Sequence, residues 1–124
     1  MESIDIHATS STPSVYYGLD GKLKIKGRSL PEDVTAFYHP LVDWAGKLEV
    51  HSLTVDVELV YMNSASSKEL LELLKALDTN NRISELYINW FYEEGDEDGL
   101  ENGQIYEELL QKASFQYHEY NETM

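Results

Sequence analysis

The segment Ser52–Met62 alternates apolar and polar residues more regularly than any other part of the chain. Its apolar side chains share one face of a predicted strand: Leu53, Val55, Val57, Leu59 and Tyr61. A polar turn follows, and Leu70, Leu71, Leu74 and Leu77 then recur at helical spacing. This strand–turn–helix unit constrains the fold most, because strands that alternate with helices build a layered α/β structure.

The same patterns predict the other elements. The remaining predicted strands cover residues 4–8, 15–17, 22–26, 84–92 and 114–120. The first is predicted to be a weak edge strand. Leu19-Asp-Gly21 has residues typical of a hairpin turn. Segment 84–92 is apolar on both sides, which is typical of an interior strand. A helix is predicted to start at the capping box Ser29-Leu-Pro-Glu32 and to bend or split near Tyr38, before Pro40. Another covers about residues 98–112.

The predicted order is therefore β-β-β-α-β-α-β-α-β. It indicates an α/β (α+β) fold with a single mixed sheet of about five to six strands and three to four helices. With 124 residues, the chain is expected to form one domain over residues 1–124.

Composition narrows the class of function. Nine Lys plus Arg against 23 Asp plus Glu give a net charge of −14, which argues against binding nucleic acid or an anionic membrane surface. The chain has no cysteine, which excludes disulfides and thiolate metal sites and fits a reducing compartment. It shows neither a secretory signal nor a membrane-spanning run. We expect a cytoplasmic protein that docks on another protein.

The acidic run over residues 93–101 suggests a calcium loop at first sight. If Gly99 is the sixth residue of such a loop, Glu94 stands first and Ile105 twelfth, and an isoleucine cannot ligate a cation. We therefore interpret the run as a solvated loop whose acids favour the start of the next helix. Because it lies beside an interior strand, a docking surface is the alternative interpretation. A small metal-dependent hydrolase built on this loop is the enzymatic alternative, but no catalytic residue, metal site or cofactor is predicted.

The turn after the strand concentrates polar side chains: Asn63, Ser64, Ser66 and Ser67. Capping of the following helix needs only one of them, and Asn63, Ser64 or Ser66 suits that role. The free amide groups and the dipole of a helix start favour an anion. The turn therefore suits a phosphorylated serine as well as ordinary capping, with Lys68 placed to neutralise part of the added charge.

Five segments in the same order resemble the SiaC-type regulatory phosphoproteins, a bacterial family. They are Ser11-Thr-Pro13, Gly27-Arg-Ser-Leu-Pro-Glu32, Phe37-Tyr-His-Pro-Leu-Val-Asp-Trp44, the segment from Tyr61 to Lys68, and Trp90-Phe-Tyr-Glu-Glu94 with the acids up to Asp98. Three departures fall in the turn: Ser64 stands where the family has a threonine, Met62 precedes Asn63, and Ala65 replaces the serine usual in the family.

The resemblance implies a non-enzymatic protein with a fold similar to anti-sigma-factor antagonists of the STAS type. It implies reversible phosphorylation at Ser64, with Ser66 and Ser67 as alternatives. A serine/threonine protein kinase would add the phosphoryl group, and a metal-dependent protein phosphatase would remove it. The unphosphorylated form would bind an effector such as a diguanylate cyclase and so act on cyclic-di-GMP and biofilm formation. Tyr61, Tyr92, Glu93 and Glu94 are the predicted partner-binding residues. An adaptor without phosphorylation is the remaining alternative.

Overall fold

The strands form one mixed sheet, in which their spatial order is also their order in sequence. The computed structural model describes residues 3–121. The strands are β1 (Ile4–Ile6), β2 (Ser14–Tyr17), β3 (Lys22–Ser29), β4 (Ser52–Met62), β5 (Glu85–Glu93) and β6 (Ser114–Tyr120). The helices are α1 (Val34–Lys47), α2 (Ser64–Asp78) and α3 (Glu97–Leu109). Six strands, three helices and a mixed sheet confirm the predicted α/β fold. Within residues 3–121, none of the helices has the length and apolar character needed to cross a membrane.

Strand direction determines where the helices lie. Strands β1 to β3 are antiparallel neighbours, whereas β3 to β6 run parallel and are joined by α1, α2 and α3. Parallel crossovers are right-handed, so three successive crossovers in one direction put all three helices on the same face of the sheet. Leu53, Val55 and Val57 are buried on that face. The opposite face is open and carries ion pairs between Lys22 and Asp56 and between Lys26 and Glu58.

A β-bulge near the end of β4 corrects the predicted placement of Tyr61. Gly27 pairs with Leu59 but Arg28 pairs with Tyr61, so the ladder passes over Val60. The extra residue shifts the alternation of side chains. Tyr61 therefore lies on the open face with Arg28, and does not share the buried face of the strand as predicted.

The start of α1 was also predicted wrongly. Ser29 is the last residue of β3, and its buried Oγ lies 2.5 Å from Tyr38 Oη. Asp33 caps the helix instead, because its Oδ1 accepts a hydrogen bond from Ala36 N at 3.1 Å. The helix runs without a split through Pro40. Tyr38, Leu41 and Ala45 are buried along it, and this packing outweighs the hydrogen bond that proline cannot donate.

Strand β5 lies between β4 and β6, so its predicted interior position is confirmed. The reason given for it was wrong, however. Its apolar side chains are buried on one face only, and Tyr87 on the other face is 42% exposed. The strand is interior because both of its edges are paired, while one of its faces stays open.

The parallel strands give the sheet two distinct ends. At the amino end, where β5 and β6 begin, the Asp78 carboxylate accepts the backbone amides of residues 111, 112 and 113 at 2.8–3.0 Å. The Asn80 side chain donates to the carbonyls of Ala45 and Leu48, and Lys112 Nζ donates to the carbonyls of residues 80 and 83. These contacts tie three loops together. The other end, which we call the carboxyl edge, is where β3 to β6 finish at Ser29, Met62, Glu93 and Tyr120.

Candidate functional site

The turn between β4 and α2 lies at the carboxyl edge and is held by backbone and side-chain hydrogen bonds. Asn63 N donates to Ser29 O at 3.1 Å, which ties the turn to the end of β3. Asn63 is also the N-cap of α2, because its Oδ1 accepts from Ser66 N at 2.9 Å. Of the three capping candidates in the sequence, Asn63 therefore takes the role, and no serine is needed for it.

Ser64 is the first residue of α2, and its side chain is exposed. The backbone amides of residues 66 and 67 both bond to Asn63. Within residues 3–121, the amides of Ser64 and Ala65 have no hydrogen-bond partner. Free amides at a helix start carry partial positive charge and favour an anion. The hydroxyl predicted to be modified thus stands in solvent at a position with vacant donors.

The two alternative serines lie in different surroundings. Ser66 is fully buried, and its Oγ has no hydrogen-bond partner in the described part of the chain. Ser67 contacts Tyr106 of α3: the Tyr106 hydroxyl donates to Ser67 O at 2.5 Å and lies 2.7 Å from Ser67 Oγ. Since the tyrosine proton goes to the carbonyl, the serine hydroxyl donates to the tyrosine oxygen. Burial raises the pKa of Tyr106 to about 12, and the bond to Ser67 works in the opposite direction.

Two cations near the turn form no ion pair with a carboxylate of the described residues. Five lysines form ion pairs: Lys22, Lys24, Lys26, Lys47 and Lys75. Lys112 is hydrogen bonded to carbonyl groups. Among residues 3–121, the cations with neither an ion pair nor a side-chain hydrogen bond are Arg28, Lys68 and Arg82. Two of these three flank the turn: Lys68 follows it on α2, and Arg28 pairs with Tyr61 just before it.

A pocket of about 210 Å³ opens beside the turn. It lies among the ends of β4 and β5 and the start of α3, and its walls include Tyr61, Trp90, Tyr92, Asp96 and Asp98. The structure thus brings together the two tyrosines predicted to bind a partner. The two predicted glutamates do not line the pocket.

Those glutamates, Glu93 and Glu94, are exposed at the end of β5. Glu94 is turned toward the end of β6, since its Oε1 accepts from Asn121 Nδ2 at 3.0 Å and its amide donates to Tyr120 O at 2.7 Å. They stand next to the pocket in sequence but on a separate part of the surface.

The acidic loop stabilises α3, as the sequence indicated. Asp96 is the N-cap, with its Oδ1 accepting from Gly99 N at 3.0 Å, and Glu97 and Asp98 lie in the first turn. Negative charge at these positions complements the helix dipole. Among the described residues, there is no group of three or more His, Asp or Glu side chains arranged to hold a metal ion.

Sequence reasoning missed two of the residues at this site. Tyr106 contacts Ser67, which lies 39 positions earlier in the sequence. No local sequence pattern predicts a contact over that separation. Trp90 Nε1 donates to Gly99 O at 2.9 Å and its ring packs against Tyr106, which forms the floor between β5 and α3. The signal available was the sheet order, because the ends of adjacent parallel strands and the helix starts beside them converge at one edge.

A model of the SiaC family, described as regulatory phosphoproteins, matches residues 6–120. The chain belongs to this family. The match includes the turn, the pocket and strands β2 to β6.

Solved structures of SiaC share the fold along nearly the whole chain. SiaC of Pseudomonas aeruginosa superposes with a TM-score of 0.75 at 23% identity, covering 98% of this chain and 99% of that one. The diguanylate cyclase SiaD in complex with its activator SiaC, also from Pseudomonas aeruginosa, gives a TM-score of 0.72 at 25% identity, with 95% and 98% covered. An uncharacterized protein of Pseudomonas aeruginosa (strain UCBPP-PA14) is 25% identical over 122 residues, 94% of each chain.

Proposed function

We propose that this SiaC-family chain acts as a single, non-enzymatic domain in the cytoplasm, and that a phosphoryl group on Ser64 controls its binding to an effector protein. A serine/threonine kinase adds the group and a metal-dependent phosphatase removes it. The effector is an enzyme of the diguanylate cyclase class, by analogy with the SiaD–SiaC complex of Pseudomonas aeruginosa. The observation that carries the proposal is the exposed Ser64 hydroxyl on the first residue of α2, beside two amides without partners.

Electrostatics supports Ser64 over the other serines of the turn. A phosphoserine adds a charge of about −1.5 to −2 at neutral pH. In a chain with a net charge of −14, that charge needs local compensation. Lys68, one turn further along α2, and Arg28, in register with Tyr61, would supply it together with the helix start. Ser66, by contrast, is buried, and the Ser67 hydroxyl is bonded to Tyr106.

The phosphoryl group would act on binding through charge and hydration. Docking would strip water from the group and press it against the partner, which costs free energy unless the partner supplies cations. A loss of about 1.4 kcal/mol weakens binding tenfold. The unphosphorylated chain is therefore the binding form in this proposal.

Intact-mass spectrometry tests the modified residue. After incubation with the cognate serine/threonine kinase and ATP, the wild-type chain should gain about 80 Da. Ser64→Ala should abolish the gain, while Ser66→Ala and Ser67→Ala keep it. If Ser64→Ala is modified as fully as the wild type, the site is wrong. If no chain is modified, the adaptor without phosphorylation is the better description.

Titration of the effector tests the switch itself. Ser64→Ala should bind the cyclase with the affinity of the wild type, and Ser64→Asp at least about tenfold more weakly. Ser84→Asp is the matched control, because Ser84 is exposed but lies at the opposite end of the sheet, before β5. Equal affinities for the alanine and aspartate variants of Ser64 would refute the mechanism.

A further inference from the structure

The pocket beside the turn is the right size for one side chain. Its volume of about 210 Å³ falls below the roughly 300–1,000 Å³ of sites that enclose small-molecule ligands. It is open to solvent at the carboxyl edge, between the ends of β4 and β5 and the first turn of α3. It is too small to enclose a typical cofactor, and its volume suits a long side chain from a docked protein.

The walls combine aromatic rings with carboxylates. The aromatic residues Tyr61, Trp90 and Tyr92 line it, of which Trp90 is only 4% exposed, and the acids that line it are Asp96 and Asp98. Asp96 already accepts the Gly99 amide as the cap of α3. The exposed Asp98 side chain makes no ion pair or hydrogen bond within residues 3–121, so its charge is available. An aromatic face next to a free carboxylate is the environment that a guanidinium group prefers, because it combines cation–π attraction with charge-assisted hydrogen bonds.

One ring of the pocket already carries a guanidinium group. The Arg28 guanidinium carbon lies 5.6 Å from the centroid of the Tyr61 ring. Arg28 is not one of the residues that line the pocket. This contact is independent of the acids and shows that the Tyr61 ring accepts a guanidinium group on the open face of the sheet, outside the pocket.

We propose that this pocket receives an arginine side chain of the effector protein. The net charge of −14 attracts a basic segment over a long range, and the pocket then fixes one residue of that segment. A buried arginine held by aromatic rings is a common anchor of protein interfaces. The inference rests on the proposed function only in assuming that an effector docks at the carboxyl edge.

The two tryptophans of the chain make a direct binding test available by NMR of their indole N–H groups. Trp90 lines the pocket, whereas Trp44 packs on Tyr17 with ring centroids 5.2 Å apart and does not line it. The probe is N-acetyl-arginine methylamide, and its neutral isostere N-acetyl-citrulline methylamide is the control. The arginine probe should shift the Trp90 signal to saturation and leave the Trp44 signal in place.

Two variants complete the binding test. Asp98→Asn should weaken the probe about threefold to tenfold, the value of one charge-assisted contact. Ser64→Asp should still bind it. No Trp90 shift at the solubility limit of the probe, or an equal shift with the citrulline compound, would overturn the inference.

A second titration, with the cyclase, separates this inference from the phosphorylation switch. Asp98→Lys should weaken the effector at least about tenfold, because it puts a like charge against the incoming arginine. Asp43→Lys is the matched control on the exposed side of α1. If Asp98→Lys binds the cyclase like the wild type, the pocket has no role in docking, whatever happens at Ser64. If the Ser64 variants bind the cyclase alike while Asp98→Lys does not, the switch fails and the pocket stands.

Discussion

The Tyr106 hydroxyl joins α3 to the first turn of α2, and its removal should cost measurable stability. The group donates to Ser67 O and accepts from Ser67 Oγ, and Tyr106 itself is only 3% exposed. Tyr106→Phe leaves the ring in place and deprives both groups of Ser67 of their partner. An unsatisfied, partly buried polar group costs about 1–3 kcal/mol. We therefore expect a loss of about 2 kcal/mol in the free energy of unfolding near neutral pH.

That difference should depend on pH in a defined direction. Burial raises the pKa of Tyr106 from 10.0 to about 12 in the folded chain, so the unfolded chain ionises first as the pH rises. Below pH 10 the hydroxyl is neutral in both states and contributes its full stability. Between pH 10 and 12 the wild type loses stability on the order of 1 kcal/mol by pH 11 and about 3 kcal/mol above pH 12. The phenylalanine variant has no such loss, so its deficit relative to the wild type should shrink by pH 11 and reverse above pH 12.

Urea unfolding followed by circular dichroism measures both parts. The wild type and Tyr106→Phe are compared at about pH 8, 10 and 11, where other titrating groups cancel in the difference. Tyr61→Phe, at a side chain that is 47% exposed, is the matched control and should lie within about 0.5 kcal/mol of the wild type at pH 8. A difference between the wild type and Tyr106→Phe that stays constant from pH 8 to 11 would refute the reasoning.

Two further predictions concern the packing that supports the site. Asp78→Ala removes a carboxylate that accepts hydrogen bonds from three backbone amides. Unfolding in guanidinium chloride should show that the free energy of unfolding falls by at least about 3 kcal/mol. Asp43→Ala, at an exposed position, is the control and should lower it by less than about 1 kcal/mol. Gly103→Ala places a methyl group 2.7 Å from the indole ring beneath it and should cost about 1–3 kcal/mol. In Gly46→Ala, at a helical position with open space around it, the same change should raise stability by about 0.5–1 kcal/mol. Similar values for the two glycine variants, or for the two aspartate variants, would contradict these assignments.

The elements that followed from the sequence are those with strong local periodicity. The bounds predicted for β4 and β6 match the structure, because their alternation is regular and a polar turn limits each. Asn63 was among the capping candidates because a short polar side chain directly before a helical pattern is also a local signal. The start of α1 failed because Ser29 satisfies a capping pattern, yet its hydroxyl is bonded to Tyr38 at the end of a strand. Capping patterns are local, and tertiary contacts override them.

The candidate site was only partly predictable because its geometry depends on long-range register. The bulge that moves Tyr61 to the open face arises from the pairing of β3 with β4, which the β4 sequence alone does not encode. The contact of Tyr106 with α2 and the convergence of Trp90 with the acidic helix start both require the order of the strands. The turn itself was predictable, since its chemistry lies within a few consecutive residues.

The hydrogen-bonded cluster at the amino end of the sheet has a practical consequence. Asp78, Asn80 and Lys112 lock three loops there, while the serine turn and the pocket lie at the far end of the same strands. A fluorophore or surface tether attached at the exposed Asn81 would leave the proposed docking end facing away from its support, so that a partner can be captured from solution.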